Sequence, residues 1–416
     1  RPSPIILKCF INKLDENDIM YKPTFSNSST RYFQKLTQNV YIVTATNFWF
    51  EDVKLPNRFV KVYNSLSKFL EAIIVALAIT AVGAGYSQKN LTQKQNTDTL
   101  MKSVPNLFVY IMYGFIVYNK EEIKNLLFSL TVSLKEIYND EIERQMMMKI
   151  RLYMAGSIFV GSCPMIAYGV EAAFHVLTSN ATFTTLIPIW PDLEDRRLVA
   201  GFVRILIYIV WLLLIAHVVA IYCLMISISI CLSYQFANLY EYFLDLNNIF
   251  DEEDSQEDQE KRYEEAVKVG IKMHNIILRC VNQLQSSCKV VYGGQILINV
   301  CVLALLMIQM MQTDRSLVQL APIVLSAIAV LVTSGLFILS AGDITLEAER
   351  LPTAMFHSGW HNCRRQSSVR VRKLITFAMM QAQHVVVIKG LGVIELSYNS
   401  YIAIVKSSYS VFSIIY

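Results

Sequence analysis

The stretch AIIVALAITAVGAG, residues 72–85, holds fourteen consecutive residues without a charged side chain. It lies inside the longer segment Leu66–Tyr86, which is long enough for a helix that crosses roughly 30 Å of hydrocarbon. The composition of the whole chain agrees, because hydrophobic residues make up 54% and charged residues only 17%. Soluble domains usually carry about 25% charged residues. The sequence therefore predicts a membrane protein.

Six more segments are apolar over a comparable length, so we predict an all-α polytopic membrane protein with seven transmembrane helices. The last of the seven is the least hydrophobic. Besides Leu66–Tyr86, the predicted spans are Val104–Tyr118, Met154–Val176, a segment from Leu198 past Cys231, Tyr292–Met311, Leu320–Ala341 and Leu391–Tyr416.

The Lys and Arg residues indicate the orientation of these helices, because cytoplasmic loops carry an excess of them. With the N-terminus inside and the C-terminus outside, the cytoplasmic connections hold 28 Lys and Arg residues and the outer loops hold 6. Two N-x-S/T acceptors for glycosylation, Asn90 and Asn180, then fall in outer loops. The cytoplasmic pieces are 1–64, 119–151, 236–289 and 342–390, and the outer pieces are 87–103, 176–197 and 312–319.

The cytoplasmic connections have a helical pattern of their own, which predicts long helical extensions beyond the membrane. Residues 120–151 carry an apolar stripe that includes Leu126 and Leu130, and residues 263–287 carry another. The run DEEDSQEDQE, residues 251–260, is expected to form a solvated loop between two helices. We divide the chain into an N-terminal cytoplasmic segment (1–64), helices 1–4 (65–232), a helical extension with an acidic loop (233–291), helices 5–6 (292–341), a cytoplasmic anchor segment (342–390) and helix 7 (391–416).

Motifs of catalysis are missing from the sequence. No Walker loop, GxSxG elbow, HExxH motif or paired CxxC is present, so we expect neither an enzyme nor a bound cofactor. His357, His361 and Cys363 come closest to a metal site, but without further ligands they predict ordinary packing. The basic residues between 364 and 373 are expected to face lipid headgroups or to set topology, rather than to bind nucleic acid.

Two other classes of membrane protein are alternatives. A G-protein-coupled receptor also has seven helices, but the (D/E)RY and NPxxY motifs of that family are absent and the predicted orientation is reversed. The outer loop 176–197 also has no Cys for that family's usual disulfide. A transporter would usually show inverted repeats, and no similarity between the two halves of the chain is found.

Three stretches near the C-terminus match a known pattern. Residues 346–360, LEAERLPTAMFHSGW, form a polar segment that ends in a Trp, and residues 372–383 combine a basic start with an Ala-Gln pair. The strongest match is YIAIVKSSYSVF, residues 401–412. Together these stretches resemble the insect odorant receptor family. The Pro that usually follows the Ala-Gln pair is replaced by His384 or Val385, so we expect a different bend there.

The resemblance implies a tetrameric, ligand-gated, nonselective cation channel in the plasma membrane of olfactory neurons. In that family a diverse odour-tuning subunit joins a shared co-receptor subunit, and this chain looks like the tuning subunit. Helix 7 of such a channel lines the central pore, and the cytoplasmic helices join the subunits.

Helix 7 carries a polar stripe that the resemblance places along the pore. The stripe consists of Asn399, Ala403, Lys406, Ser410 and Ser413, and Ile414 and Ile415 correspond to the position of the family's hydrophobic gate. A polar face packed against other helices is the alternative for the stripe. Four Lys406 ammonium groups around one pathway would repel a cation, so we expect the chain to conduct poorly as a homotetramer.

The implied ligand is a small, volatile and mostly apolar molecule, held by burial with one or two polar contacts. The family places it among the outer halves of helices two, three, four and six. The residues expected there are Leu107, Phe108, Tyr110, Ile111, Ile166, Gly169, Val170, Ala173, Ile205, Tyr208, Ile209, Ile323, Ser326 and Ala327. Among them, Gly169 and Ala173 would leave room, and Tyr110, Tyr208 and Ser326 could form hydrogen bonds. Ordinary helix packing is the alternative for each.

Overall fold

The computed structural model describes residues 27–52, 56–88, 91, 93–179, 181–313, 316–365 and 367–415. Within these ranges the α-helices are α1 (Ser28–Thr44), α2 (Asn57–Ser87), α3 (Gln93–Tyr118), α4 (Lys120–Thr131), α5 (Asp140–Ser179), α6 (Leu198–Asp245), α7 (Gln256–Gln312), α8 (Leu317–Phe356), α9 (Ser367–Ala382) and α10 (Tyr398–Ile415). Short 3-10 helices lie at Ser133–Glu136, Leu246–Asp251 and Trp360–Asn362. Before α10, the two-residue strands β1 (Lys389–Gly390) and β2 (Ile394–Glu395) form an antiparallel hairpin.

The predicted membrane helices are present. In the described part of the chain, six helices are long and apolar enough to cross a membrane: α2, α3, α5, α6, α7 and α8. The seventh is α10, whose 18 residues span about 27 Å at 1.5 Å per residue. The all-α, seven-helix prediction is therefore confirmed, while the side on which each terminus lies stays a prediction.

Several spans continue without a break into the predicted extensions. Helix α7 alone has 57 residues and measures about 86 Å, so it unites the expected helix 263–287 with the expected span Tyr292–Met311. The expected single helix over 120–151 is wrong, because the chain leaves α4 and starts a new helix at α5. Asn139 caps this new helix by accepting hydrogen bonds from the backbone N–H groups of Glu141 and Ile142, at 3.0 and 3.3 Å.

Only part of the acidic run 251–260 is a loop. Ser255 caps α7 by accepting a hydrogen bond from the Asp258 N–H at 3.3 Å, so the second half of the run is helical. Glu257 and Asp258 then lie in the first turn, where the helix dipole stabilises negative charge.

The acidic residues of α7 pair with the basic residues expected at lipid headgroups. Lys268 and Arg370 lie 2.9 and 3.0 Å from the Glu264 carboxylate, and together they hold the pKa of Glu264 below its usual range. Arg365 pairs with Glu257 at 2.8 Å. At least part of the basic segment therefore fastens α9 to α7 within the chain.

The main apolar core lies where the extensions join the ends of the membrane helices, and it includes residues of both. Helix α6 runs through its centre, and residues 223–233 of this helix are all buried. The rings of Tyr292 and Phe337, from α7 and α8, pack with their centroids 5.0 Å apart. Burying a Leu, Ile or Phe side chain contributes about 1.5–3 kcal/mol to the free energy of unfolding. This core is therefore the main source of stability in the bundle.

The seventh predicted helix, Leu391–Tyr416, begins too early. Leu391 and Gly392 have φ angles of +56° and +75°, which no α-helix can include, and they form the turn of the hairpin. Helix α10 starts after a reciprocal cap between two serines. The Ser397 N–H donates to Ser400 Oγ at 2.9 Å, and the Ser400 N–H donates to Ser397 Oγ at 3.3 Å.

The hairpin that leads into α10 is fastened to α7. The side-chain amide of Gln285 donates to the Lys389 carbonyl at 2.9 Å and accepts from the Lys389 N–H at 2.7 Å. Gly390 lies so close to α7 that a Cβ there would be 3.1 Å from the Tyr292 carbonyl oxygen. The position of the first residues of α10 is thus tied to the position of α7.

Candidate functional site

A second apolar cluster, which we call the distal cluster, is packed between the membrane helices and is distinct from the main core. It receives residues from α2, α3, α5, α6, α7 and α8 and from the α5–α6 connection. Its buried members are Ile74, Leu77, Ala81, Met101, Tyr168, Leu186, Val210, Trp211, Leu214, Leu306 and Ile323. Partly buried residues packed against it include Tyr110, Met165, Tyr208, Val302, Leu305 and Ala327.

The expected ligand contacts divide between this cluster and the exposed surface. Ile323 is a member of the cluster, and Tyr110, Tyr208 and Ala327 pack against it. Leu107, Gly169 and Ser326 are partly exposed. The remaining seven are exposed and do not belong to the cluster: Phe108, Ile111, Ile166, Val170, Ala173, Ile205 and Ile209. As ligand contacts all fourteen stay a prediction, and the packing favours the first group.

The room expected beside Gly169 is taken by another side chain. A Cβ at Gly169 would overlap the hydroxyl oxygen of Tyr208 and would be 2.9 Å from its Cζ. The Tyr208 hydroxyl itself donates to the Met165 carbonyl at 3.0 Å. Gly169 therefore allows α5 and α6 to approach each other, and the space that it leaves is filled by Tyr208.

The buried aromatic residues Tyr168 and Trp211 were not among the expected contacts. Lipid-facing and protein-facing residues of a membrane helix are both apolar, so periodicity does not distinguish Tyr168 from its neighbour Ile166. The only available signal was polarity, because Tyr and Trp carry a hydrogen-bonding atom that favours an interior or interfacial position.

Polar atoms without a partner are buried in and beside the distal cluster. Tyr168 and Trp211 pack with ring centroids 5.9 Å apart. In the described part of the chain, neither the Tyr168 hydroxyl nor the Trp211 Nε1 has a hydrogen-bond partner, and the same holds for Thr185 Oγ1. The side chains of Ser326 and Gln309 are close enough to Tyr168 to interact with its hydroxyl. The cluster is thus an apolar site with a few polar groups, which is the composition of a small-molecule site.

Charged side chains border one edge of the cluster. The Lys102 ammonium lies 4.3 Å from the centroid of the Tyr168 ring and donates to the Thr185 carbonyl at 2.7 Å. Gln309 donates to Asp98 at 2.5 Å. These contacts hold Tyr168 and the side chains around it in place at this edge of the cluster. They are hydrogen bonds and a cation–π contact, which suit ligand binding rather than catalysis.

The expected pore stripe lies on the face of α10 that points away from the rest of the chain. Ile404 and Ser408 are buried on the packed face. Tyr401 fixes this face by donating to the Leu331 carbonyl of α8 at 2.9 Å. All described members of the stripe and the expected gate are exposed: Asn399, Ala403, Lys406, Ser410, Ser413 and Ile414. The side chain of Ile415 lies outside the described residues.

The structure adds little about the two remaining kinds of predicted site, the glycosylation acceptors and the possible metal ligands. The glycosylation acceptors Asn90 and Asn180 lie outside the described residues. Cys363 is buried, whereas His357 and His361 are exposed. Over the ranges that the structure describes, no three His, Cys, Asp or Glu side chains are grouped as the ligands of a metal ion would be.

Comparison with known proteins decides the family. A family model described as 7tm odorant receptor matches residues 107–409, which is most of the chain. The chain belongs to the odorant receptor family. This odorant receptor is 28% identical to Odorant receptor 33c of Drosophila melanogaster over 153 residues. That match spans 37% of this chain and 38% of the relative, well under half of either length.

Solved structures extend the likeness over nearly the whole odorant receptor. The insect olfactory receptor OR5 from Machilis hrabei matches 93% of this chain and 99% of its own length, with a TM-score of 0.76 and 11% identity. The same receptor in complex with eugenol matches with a TM-score of 0.77 and 10% identity. At such identity the likeness shows the fold alone. Family membership confirms that the chain is a receptor and not an enzyme, and leaves the G-protein-coupled receptor and transporter alternatives without support.

Proposed function

We propose that this odorant receptor is the odour-binding, tuning subunit of a heterotetrameric, ligand-gated, nonselective cation channel in the plasma membrane of olfactory neurons. The N-terminus is cytoplasmic, and the partner is the shared co-receptor subunit. One observation carries the channel assignment: the polar face of α10 is exposed on the side opposite its buried residues Ile404 and Ser408. A polar face with a lysine is costly against lipid, so it requires water or other subunits beside it.

The ligand-binding assignment rests on the distal cluster. A small volatile molecule gains most of its binding energy from burial among apolar side chains, and a few polar groups orient it. The distal cluster combines both features. The related Machilis receptor in complex with eugenol supports a ligand of this kind.

Helix α7 connects the two sites. Val302, Leu305 and Leu306 of α7 take part in the distal cluster, and Gln285 of the same helix holds the hairpin that precedes α10. A ligand that binds the open arrangement more tightly than the closed one would shift the population through this helix. Movement of α7 would then reposition the start of α10.

The first test is current recording with and without the co-receptor. Cells that express this receptor together with an insect co-receptor are expected to show inward current to some members of a broad panel of volatiles. Cells that express this receptor alone are expected to show none, because like charges at Lys406 would surround the pathway in a homotetramer. A robust odour-gated current from this chain alone would refute the tuning role. A current from the co-receptor alone, with the same ligand profile, would refute odour binding by this chain.

A second test concerns Lys406. A unit charge about 6 Å from a cation in water costs about 0.7 kcal/mol for a monovalent ion and about twice that for a divalent ion. Lys406→Gln in the mixed channel is therefore expected to raise the permeability of Ca²⁺ relative to Na⁺ about threefold, measured from reversal potentials. Lys261→Gln removes an equal charge from the exposed start of α7 and should leave the ratio unchanged. Equal ratios in both variants would contradict a pore position for Lys406.

A further inference from the structure

The indole N–H of Trp211 is the most informative polar group of the distal cluster. The side chain is 3% exposed, is surrounded by apolar residues of the cluster, and finds no hydrogen-bond acceptor within the described ranges. Indole nitrogen can only donate, so no rotation of the ring turns it into an acceptor. A buried donor without a partner is destabilising, and in a membrane interior no bulk water is present to satisfy it.

Tyr168, which packs against Trp211, differs in this respect. Its hydroxyl can donate and accept, and the side chains of Ser326 and Gln309 lie near enough to interact with it. Trp211 is therefore a donor that no described residue satisfies, and an acceptor on a bound molecule would satisfy it.

We propose that the ligand of this receptor carries an oxygen that accepts a hydrogen bond from Trp211 Nε1, and that the receptor selects ketones, aldehydes, esters and ethers over hydrocarbons of the same shape. This inference rests on the proposed odour-binding function and specifies its ligand class. The apolar remainder of the ligand is held by aliphatic members of the cluster such as Leu214 and Leu306. A hydrocarbon fills the same space but leaves the Trp211 donor unsatisfied, so it binds less tightly although its apolar area is equal.

The experiment compares matched pairs of ligands on the receptor expressed with its co-receptor. Each pair consists of a ketone and the 2-methyl-1-alkene of equal length, in which C=CH₂ replaces C=O, together with esters and ethers and their hydrocarbon analogues. The wild-type receptor is expected to respond to the oxygenated member at about tenfold lower concentration. Trp211→Phe keeps an aromatic ring and removes the donor, so it should reduce this ratio to below about twofold.

Trp190→Phe is the matched control, because Trp190 is 50% exposed and does not belong to the cluster. It should keep the wild-type ratio. Equal sensitivity of the wild-type receptor to both members of the pairs, or an unchanged ratio in Trp211→Phe, would overturn the proposal. Binding of the same ligand pairs is also measured as the rise in the Tm of the purified receptor, because this measurement does not depend on channel current. A panel that shifts Tm selectively but opens no channel would contradict the proposed channel function and leave the ligand class supported.

Discussion

Replacing Gly390 with valine is expected to reduce ligand-gated current to below about a tenth of the wild-type value. A Cβ at this position would be 2.5 Å from Ile296 Cδ1, 3.1 Å from the Tyr292 carbonyl oxygen and 3.4 Å from the Tyr292 carbonyl carbon. The Ile296 side chain could turn aside, but the backbone of α7 could not. The hairpin would have to lift away from α7, and the start of α10 would move with it. Whole-cell current and surface labelling of the same cells measure the effect.

Gly114→Val is the matched control, because a Cβ at Gly114 in α3 would meet no atom within 4 Å. It should keep current and surface abundance within about twofold of the wild type. Normal current from Gly390→Val would show that the position of the hairpin does not govern opening.

A second variant keeps this prediction testable if Gly390→Val fails to reach the surface. Gln285→Ala removes two hydrogen bonds to Lys389 without adding volume. Each such bond contributes about 0.5–1.5 kcal/mol, so the variant should shift the concentration for half-maximal current rather than abolish it.

The membrane helices could be predicted because their signal is strong and local. An apolar run of the required length suffices, as in residues 72–85, and tertiary contacts do not change the outcome. The same signal misplaced the start of the last helix. Leu391 belongs to the apolar stretch by composition, but the two glycines around it permit a turn, and Leu391 itself adopts a φ of +56°. The serines at 397 and 400 were a capping pattern that marked the true start.

The candidate site was harder to predict, for a different reason. The resemblance to the family implied which helices surround the ligand, but neither it nor composition indicates which face of each helix is buried. Ile166 and Tyr168 are two positions apart and lie on different faces of α5, one 62% and the other 3% exposed. In a soluble protein the exposed face would be polar, and the two positions could be told apart. On α10 the exposed face could be predicted from the sequence, because it carries Lys406, the only charged residue of this helix.

The sequence gives no indication of contacts between residues that are distant along the chain. Glu143 of α5 is 1% exposed and pairs with the almost fully buried ammonium of Lys135, while Asn238 of α6 donates to the same carboxylate at 3.0 Å. In the sequence Glu143 resembles a surface acid, because it lies among the charged residues Glu141 and Arg144. In the structure those two neighbours do form an exposed ion pair. Only the approach of α6, 95 residues later, reveals that it is buried.

Glu143→Leu is accordingly expected to destabilise the receptor severely. It leaves the Lys135 ammonium, whose side chain is 5% exposed, as a buried charge without its acid. Breaking a buried pair in this way costs about 3–5 kcal/mol, which for a chain of 416 residues corresponds to a fall in Tm of roughly 3–6 °C. The purified receptor's thermal unfolding measures the change, and surface abundance should fall with it. Glu141→Leu, two residues earlier on the same helix, breaks the exposed pair with Arg144 and should leave the Tm nearly unchanged.

The double variant Lys135→Met with Glu143→Leu separates the lost attraction from the cost of an unpaired charge. With both charges removed, apolar side chains of similar volume fill the same space, and such replacements of buried pairs are often neutral or stabilising. In the wild type, Glu143 Oε2 and Asn238 Oδ1 already lack partners in the part of the chain that the structure describes, so the polar cluster is incompletely satisfied. The double variant should therefore recover at least half of the Tm lost in Glu143→Leu, although Asn238 loses its acceptor. If it is less stable than Glu143→Leu alone, the unpaired Lys135 charge is not the source of the destabilisation.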